Sequence, residues 1–301
     1  MTAKLIKAKG ISDFIGLCKI KVSLFAALSA VAGFLCSPHH HPGQVSFLFA
    51  GLLLLASGSS SLNQYQEKDI DALMPRTAGR PIPAGRVGAC QALAFSCLLM
   101  GAGLLTLALG IGFAVALLGL GTVLWYNAVY TYLKRKWAFA IVPGTLAGIM
   151  PPVIGWLAGG GAWSDLPLLY LSSLFFLWQV AHSLLIMGEY GKEFTSAGLP
   201  SLTAVFSVRQ LSRITGSWIF AVAVTCLLLP LFVFPRPSAL WLVLLGTAFL
   251  GLTFSAIRVF RGGVLAYAIL SRRLHGVLLL MLIVLATQEN LRRILSGTIG
   301  M

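Results

Sequence analysis

The feature that most constrains this chain is the repetition of apolar stretches long enough to cross a membrane. A helix spans the hydrocarbon core of a bilayer with roughly 20 consecutive apolar residues. Stretches of about this length predict membrane-spanning helices at residues 20–36, 45–62, 90–108, 112–131, 139–158, 166–187, 214–234, 238–257 and 274–291. We therefore expect an all-α membrane protein with about nine transmembrane helices in a single bundle.

Composition supports a membrane protein over a soluble one. Hydrophobic residues make up 58% of the chain and charged residues only 10%, whereas charged residues approach roughly a quarter of a soluble domain. The net charge of +14 would suggest nucleic acid in a soluble protein. Here the basic residues lie between apolar segments, so we expect no nucleic-acid partner, and contact with membrane lipid or an anionic substrate instead.

The distribution of basic residues predicts the topology. Lysines and arginines concentrate near residues 4–21, 68–86, 134–136, 209–213 and 258–273. The positive-inside rule places these segments and the N-terminus in the cytoplasm. No stretch is typical of a separate soluble domain, so residues 1–301 are predicted to form one polytopic domain, with cytoplasmic motif loops near 63–86 and 188–213.

The segment that follows the second apolar stretch carries the clearest chemical signal. Asn63, Glu67 and Asp71 have i, i+4 and i+8 spacing, which places them on one helical face. Ionised groups beside hydrocarbon usually persist only where they bind a metal, a charged ligand or each other. Carboxylate oxygens suit Mg²⁺, and the following Arg76 and Arg80 suit phosphate. The segment predicts a magnesium–diphosphate site; the alternative is an acidic helix end paired with nearby cations.

Two further charged clusters are candidates for the same site. Glu189 and Glu193 are four residues apart and are predicted to lie on the same membrane side as the first motif. They could hold a second Mg²⁺, or form one face of an ordinary amphipathic helix. Lys134 and Arg135 are candidate diphosphate contacts, although topological signalling also explains a basic loop.

Several separated motifs, in order along the chain, resemble one family. The first is the set Asn63, Glu67, Asp69, Asp71, Met74, Arg76, Thr77, Arg80 and Pro81. The others are Tyr132 to Arg135, Gly148 to Trp156, Phe176 to Gln179 leading to His182, and Ala197-Gly198-x-Pro200. Together they resemble the UbiA-type superfamily of intramembrane prenyltransferases, and within it the protoheme IX farnesyltransferase (haem O synthase) branch. Three places depart from the family pattern: Glu67 replaces an aspartate, residues 180–184 read Val-Ala-His-Ser-Leu where the family has Pro-Pro-His-Phe-Trp, and Lys192-Glu193-Phe194 replaces two acidic residues before a tyrosine.

This resemblance implies a helical bundle around a central cavity, with a polar cap on the cytoplasmic or matrix side. The implied reaction joins a farnesyl group from farnesyl diphosphate to the 2-vinyl group of haem B, with Mg²⁺ as cofactor, to give haem O. The implied location is a bacterial plasma membrane or a mitochondrial inner membrane. A haem A synthase or a terminal oxidase is the implied recipient of the product.

The resemblance and the local chemistry together assign roles to individual residues. The residues expected to act in diphosphate activation are Asn63, Glu67, Asp71, Arg76 and Arg80. The expected metal ligands are Asn63, Glu67, Asp71, Glu189 and Glu193. The expected substrate-binding residues are Lys134, Arg135, Trp178, His182 and Tyr130. Among these, His182 is the candidate for contact with haem iron, because imidazole is a common axial ligand; hydrogen-bonded packing is the alternative.

Two other functions remain open from the sequence. The same fold could prenylate a quinone precursor or another aromatic acceptor, because residues 180–184 depart from the haem-specific pattern. A non-enzymatic haem-handling assembly protein could also keep the fold without transfer activity. The retained charged residues of the first motif argue against this second alternative.

Overall fold

The computed structural model describes residues 10–233, 239–261 and 267–295, and the regular structure within these ranges is helical. The helices are α1 (Ile11–Leu17), α2 (Ile20–Leu35), α3 (Val45–Gln66), α4 (Lys68–Asp71), α5 (Pro75–Ala78), α6 (Ala89–Gly110), α7 (Phe113–Leu124), α8 (Thr131–Leu133), α9 (Ile141–Ala158), α10 (Leu166–Ser196), α11 (Leu202–Val205), α12 (Val208–Val233), α13 (Ala239–Phe260) and α14 (Tyr267–Leu295). A π-helical turn, Trp125–Tyr130, connects α7 to α8.

Within the described residues, each predicted membrane span lies on helical structure; residues 234 and 238, at the ends of two predicted spans, lie outside the described residues. Within the described ranges, 8 helical segments are long and apolar enough to cross a membrane, and α1 with α2 forms a further segment bent by 53°. The prediction of an all-α membrane bundle is confirmed. The basic residues Lys4, Lys7 and Lys9 of the predicted cytoplasmic N-terminus lie outside the described residues.

Helix ends differ from the sequence prediction near both acidic segments. α10 was expected to end near residue 187, but it continues to Ser196, so residues 188–196 are helical rather than part of a loop. The chain leaves α10 through Gly198, whose φ of 77° lies in the left-handed region that glycine tolerates. The second acidic segment is therefore presented from a regular helix.

The first acidic segment is broken. α3 ends at Gln66, and Glu67 has φ −105° and ψ 7°, outside the α-helical region. The short helix α4 follows, and Pro75 begins α5 at a position where a missing backbone N–H costs nothing. This interruption lets the chain turn back, so that residues after α5 can approach those at the end of α3.

Close packing of α2 against α9 depends on glycine. A Cβ added at Gly33 would overlap the carbonyl oxygen of Pro152, and one added at Gly155 would overlap that of Ala30. Small residues allow helix backbones in membranes to approach closely, which strengthens van der Waals contact. The backbones of α2 and α9 therefore pack in direct contact at these glycines.

Two hydrophobic cores flank the space between the helices. One joins α10, α12, α13 and α14 through buried residues such as Leu174, Ala223, Leu252 and Met281. The other joins α2, α3, α6, α7 and α9 through Ala30, Leu52, Leu107, Val115 and Ile154. A cavity lies between these two groups of helices.

Candidate active site

The helices enclose a cavity of about 620 Å³. Residues of both helix groups line this cavity, and the lining has a charged part and an aromatic part. We call the following residues the polar end: Lys19, Asn63, Glu67, Asp71, Arg76, Arg80 and Lys134. We call Trp178, His182 and His275, with the adjacent Phe25, the aromatic wall.

Asp71 is buried and paired with an arginine. Only 1% of the residue is exposed, and Arg80 Nη1 donates to Asp71 Oδ2 at 2.5 Å. The Thr77 hydroxyl donates to the Asp71 backbone carbonyl at 2.9 Å, which ties α5 to α4. Because the helix is interrupted, Arg80 can reach the carboxylate of Asp71, nine residues earlier in the chain. In one continuous helix, side chains meet at three- or four-residue spacing.

Glu67 forms the second charge pair. It is 8% exposed, and its Oε1 lies 2.7 Å from Lys134 Nζ. Burial alone lowers the pKa of Lys134, but the Glu67 carboxylate and the Tyr126 and Tyr130 phenols outweigh burial and raise that pKa above its ordinary value. Lys134 therefore stays cationic across the neutral pH range.

Asn63 is held between a cation and a hydroxyl. It is 1% exposed; its Oδ1 accepts from Lys19 Nζ at 3.1 Å, and its Nδ2 donates to Thr131 Oγ1 at 3.1 Å. Lys19 lies at the bend between α1 and α2 with a left-handed φ of 43°, a conformation costing roughly 1 kcal/mol or more for a residue with a Cβ. That backbone geometry directs the lysine into the polar end.

The polar end fits an anion together with a magnesium ion. Basic residues outnumber the carboxylates along the cavity: the basic residues are Lys19, Lys21, Arg76, Arg80 and Lys134, and the carboxylates are Glu67 and Asp71. The oxygens of Asn63, Glu67 and Asp71 each contact a cationic group, and such hard donors are those that Mg²⁺ prefers. Among the described residues, no three His, Cys, Asp or Glu side chains group at metal-binding distance, so water or substrate oxygens would complete its coordination.

A π-helical turn positions the aromatic residues beside the polar end. Tyr126 and Tyr130 both line the cavity, with ring centroids 5.7 Å apart, and Lys134 Nζ lies 5.4 Å from the Tyr130 ring. Asn127, in the same turn, accepts from the Ser59 hydroxyl at 2.6 Å and anchors the turn to α3. Single π-helical turns often occur at functional sites. The sequence predicted Tyr130 here but not the turn that presents it.

Two predicted arginines have different surroundings. Arg76 lines the cavity, and its guanidinium lies 4.8 Å from the Tyr190 ring centroid. Arg135 is not among the residues lining this cavity; its Nη2 donates to the Gln66 backbone carbonyl at 2.6 Å. Arg135 thus satisfies a carbonyl at the C-terminal end of α3, a position that favours cations.

The two glutamates of the predicted second metal cluster differ from the first acidic segment in their surroundings. Neither Glu189 nor Glu193 lines the cavity. Glu189 is exposed, and Glu193 Oε2 is buried without a hydrogen-bond partner among the described residues. Other residues of the second segment do line the cavity, namely Met187, Phe194, Leu199 and Pro200.

Trp178 and His182 share a face, as their spacing predicted. Their rings stack with centroids 5.1 Å apart, and both line the cavity. Trp178 Nε1 donates to the Leu274 carbonyl on α14 at 3.0 Å. This bond fixes α10 against α14 and brings His275 beside His182, with ring centroids 4.7 Å apart.

Lys19 and His275 are among the cavity residues that the sequence did not assign to the site. Lys19 was visible only as one of several N-terminal basic residues. His275 is a single histidine within an apolar stretch, and it is 93 residues from His182 along the chain. Neither placement follows from local spacing, because both depend on how distant helices pack.

Comparison with known proteins agrees with this architecture. The model of the UbiA prenyltransferase family matches residues 23–286. A relative from Geobacter sulfurreducens named protoheme IX farnesyltransferase is 40% identical over 212 residues, or 70% of this chain and 78% of the relative. One of the same name from Oleidesulfovibrio alaskensis is 33% identical over 281 residues, or 93% of this chain and 96% of the relative.

Solved structures share the fold at low sequence identity. A UbiA homolog from Aeropyrum pernix K1 has a TM-score of 0.70 at 18% identity, covering 87% of this chain and 98% of that chain. A UbiA homolog from Archaeoglobus fulgidus bound to DMAPP and Mg²⁺ has a TM-score of 0.70 at 12% identity, covering 92% and 99%. With the family match covering most of its length, the chain belongs to the UbiA prenyltransferase family.

Proposed function

We propose that this prenyltransferase transfers a farnesyl group from farnesyl diphosphate to the 2-vinyl group of haem B, yielding haem O. The observation that carries the proposal is the buried, charge-paired polar end at the head of a cavity with an aromatic wall. An anionic leaving group needs the charged polar end, and two large apolar substrates need the cavity with its aromatic wall. The names of the relatives, protoheme IX farnesyltransferase, support haem as the acceptor.

The diphosphate is proposed to bind at the polar end. Arg76, Arg80, Lys134 and Lys19 would contact its oxygens, because preorganised cations stabilise the charge that develops as the carbon–oxygen bond breaks. The Asp71 and Glu67 carboxylates hold Arg80 and Lys134 at 2.5 and 2.7 Å. These two cations are consequently oriented before substrate arrives, so less ordering is required during reaction.

The bond changes balance without a redox partner. The carbon–oxygen bond to diphosphate breaks, and the vinyl group of haem forms a new bond to the farnesyl carbon. Positive charge then lies on the carbon next to the porphyrin ring, where water adds and releases a proton. Tyr126, Tyr130 and Trp178 line the cavity and would shield the positive charge with their ring faces.

Magnesium is the implied cofactor, and Asn63, Glu67 and Asp71 would hold it. When bound, Mg²⁺ neutralises charge on the departing diphosphate. The Archaeoglobus fulgidus relatives, one bound to GPP and Mg²⁺ and another to DMAPP and Mg²⁺, support a metal-dependent diphosphate site. Glu189 and Glu193 remain the candidate ligands of a second ion.

The membrane arrangement completes the proposal. Residues 1–301 form one polytopic domain whose polar end faces the cytoplasm or matrix, as the positive-inside rule favours. Farnesyl diphosphate and lipid would contact the protein from the membrane, and product haem O would pass to a haem A synthase or a terminal oxidase. A bacterial plasma membrane or mitochondrial inner membrane is the proposed location.

The proposal is tested with purified full-length protein, haem B, farnesyl diphosphate and Mg²⁺. We expect mass spectrometry to find a pigment with the mass of haem O, which disappears when Mg²⁺ is chelated. Prenylation of an aromatic acid or quinone precursor with no haem product would overturn the acceptor assignment. Failure with every acceptor, by protein that elutes as a single folded species, would support an assembly role instead.

A further inference from the structure

The aromatic wall contains a histidine pair whose two members differ in their polar contacts. His182 on α10 and His275 on α14 both line the cavity. Their rings meet edge to face at 88°. His275 also meets Trp178 edge to face, with centroids 5.2 Å apart, and Phe25 at 6.0 Å. This packing holds the His275 ring from three sides.

A hydrogen bond fixes the tautomer of His275. Its Nδ1 lies 2.7 Å from the Ser271 backbone carbonyl oxygen. A carbonyl can only accept, so Nδ1 must carry the hydrogen, and in the neutral ring the Nε2 lone pair is left free to coordinate. Metal-ligating histidines typically donate their other ring N–H to a backbone carbonyl or carboxylate in this way.

His182 has no comparable hydrogen bond from its Nδ1 atom. Its Nδ1 is buried without a hydrogen-bond partner among the described residues, and its ring stacks on Trp178 with an interplanar angle of 14°. Stacking orients the ring plane, but no bond here selects which nitrogen carries the proton. His275 is the better prepared ligand of the two.

The pair is too close to clamp one metal ion from opposite faces. An imidazole nitrogen lies about 2 Å from a bound metal, so two imidazoles on opposite sides of one ion have ring centroids roughly 6 Å apart. The observed distance is 4.7 Å. In this arrangement, one histidine at a time can occupy an axial position.

The surrounding residues favour a metal that brings its own ligands. Across the described part of the chain, no group of three His, Cys, Asp or Glu side chains could hold a metal ion. An iron tetrapyrrole supplies four nitrogens itself and needs only an axial ligand from the protein. The cavity beside His275 is lined by apolar and aromatic side chains, including Phe25, Trp178 and Leu278, which suit a planar apolar ring.

We propose that His275, rather than His182, supplies the axial imidazole to the iron of haem B. This inference rests on the proposed function, in which haem is the acceptor. Axial ligation would set the position of the porphyrin in the cavity and thereby the distance from its vinyl group to the polar end. His182 and Trp178 would then support the ring of His275 without touching iron.

The test is haem titration of purified full-length protein, followed by absorption and resonance Raman spectroscopy. The variants are His275→Phe, which keeps aromatic packing, His275→Ala, which leaves space, and the matched His182→Phe. We expect imidazole-ligated haem in wild type and His182→Phe. Both His275 variants should lose that signature and bind haem about tenfold or more weakly, and added imidazole should restore the signature in His275→Ala but not in His275→Phe.

Three results would overturn the proposal. One is an unchanged iron–imidazole signature in His275→Phe. Another is loss of the signature in His182→Phe alone, which would assign the axial role to His182. The third is wild-type haem without any imidazole ligand. If wild type makes haem O and yet gives the third result, the proposed function stands and only the axial assignment fails. Prenylation of a different acceptor would instead refute the proposed function itself.

Discussion

The two acidic segments have the same four-residue spacing and very different surroundings. Glu67 and Asp71 are buried at the polar end, each within 2.7 Å of a cationic group. Glu189 is exposed, and Glu193 carries a buried oxygen with no hydrogen-bond partner among the described residues. Spacing along a helix therefore did not determine which carboxylates reach the cavity.

Helix continuity explains the difference. α3 ends just before Glu67, and the chain folds back through α4 and α5 to deliver Arg80 to Asp71. α10 instead continues through Glu189 and Glu193 to Ser196, so their nearby cation, Lys192, remains exposed on the same helix. The turns after Asp71 let residues of a later segment approach it, whereas α10 presents Glu189 and Glu193 from one continuous helix.

The largest effect is expected from Asp71→Asn. Removing the charge leaves Arg80 without its buried partner and weakens a proposed magnesium ligand, so we expect transfer to fall on the order of 10²–10³-fold. The matched control is Asp69→Asn, two residues earlier, because the Asp69 side chain is 86% exposed. Initial rates with saturating farnesyl diphosphate measure both; equal losses would remove the distinction between buried and exposed carboxylates.

A smaller effect is expected from breaking the Glu67–Lys134 pair. Glu67→Gln and Lys134→Met should each lower transfer by about 10–10²-fold, and the double variant should lose much less than the product of the two losses. The double-mutant cycle is measured by transfer rate. Simple multiplication of the two losses would show that the pair does not act as a unit.

Arg76 probes the contact between the two segments. Its guanidinium lies 4.8 Å from the ring of Tyr190, which follows Glu189 on α10. Arg76→Gln removes a proposed diphosphate contact and should raise the KM for farnesyl diphosphate by about tenfold, as expected for a lost charge-assisted bond. Tyr190→Leu removes only the ring and should change the KM by less than about threefold; a larger change than in Arg76→Gln would assign the binding role to α10.

The smallest effects are expected in the second segment. Glu189→Gln and Glu193→Gln should each change transfer by less than about threefold at saturating Mg²⁺, because neither side chain lines the cavity in which the diphosphate is proposed to bind. Magnesium dependence is measured in parallel. A large rise in the Mg²⁺ concentration needed for half-maximal rate would support a second metal at Glu189 and Glu193.

The fold was predictable because apolar length and loop charge are local properties of the sequence. The placement of Asn63, Glu67 and Asp71 was also predictable, since backbone hydrogen bonds from Glu67 to Asn63 and from Asp71 to Glu67 preserve the i, i+4 relation through the break. The stacking of Trp178 on His182 followed from the same rule.

Other parts of the site depend on long-range packing that no local pattern contains. Lys19 reaches Asn63 because the chain bends by 53° between α1 and α2. His275 reaches His182 because α14 packs against α10. Arg135 is a residue type that often contacts phosphate, yet its guanidinium donates to the backbone carbonyl of Gln66. That carbonyl is available because α3 ends at Gln66, which local spacing does not predict.

The most direct test of this account is the binding of inorganic pyrophosphate in the presence of Mg²⁺, measured by isothermal titration calorimetry. Wild-type protein would be compared with Asp71→Asn and Glu193→Gln, each checked for monodisperse elution. We predict that Asp71→Asn weakens binding by about tenfold or more, while Glu193→Gln binds as wild type does. Tight binding by Asp71→Asn together with weak binding by Glu193→Gln would place the diphosphate at the second segment and contradict the account.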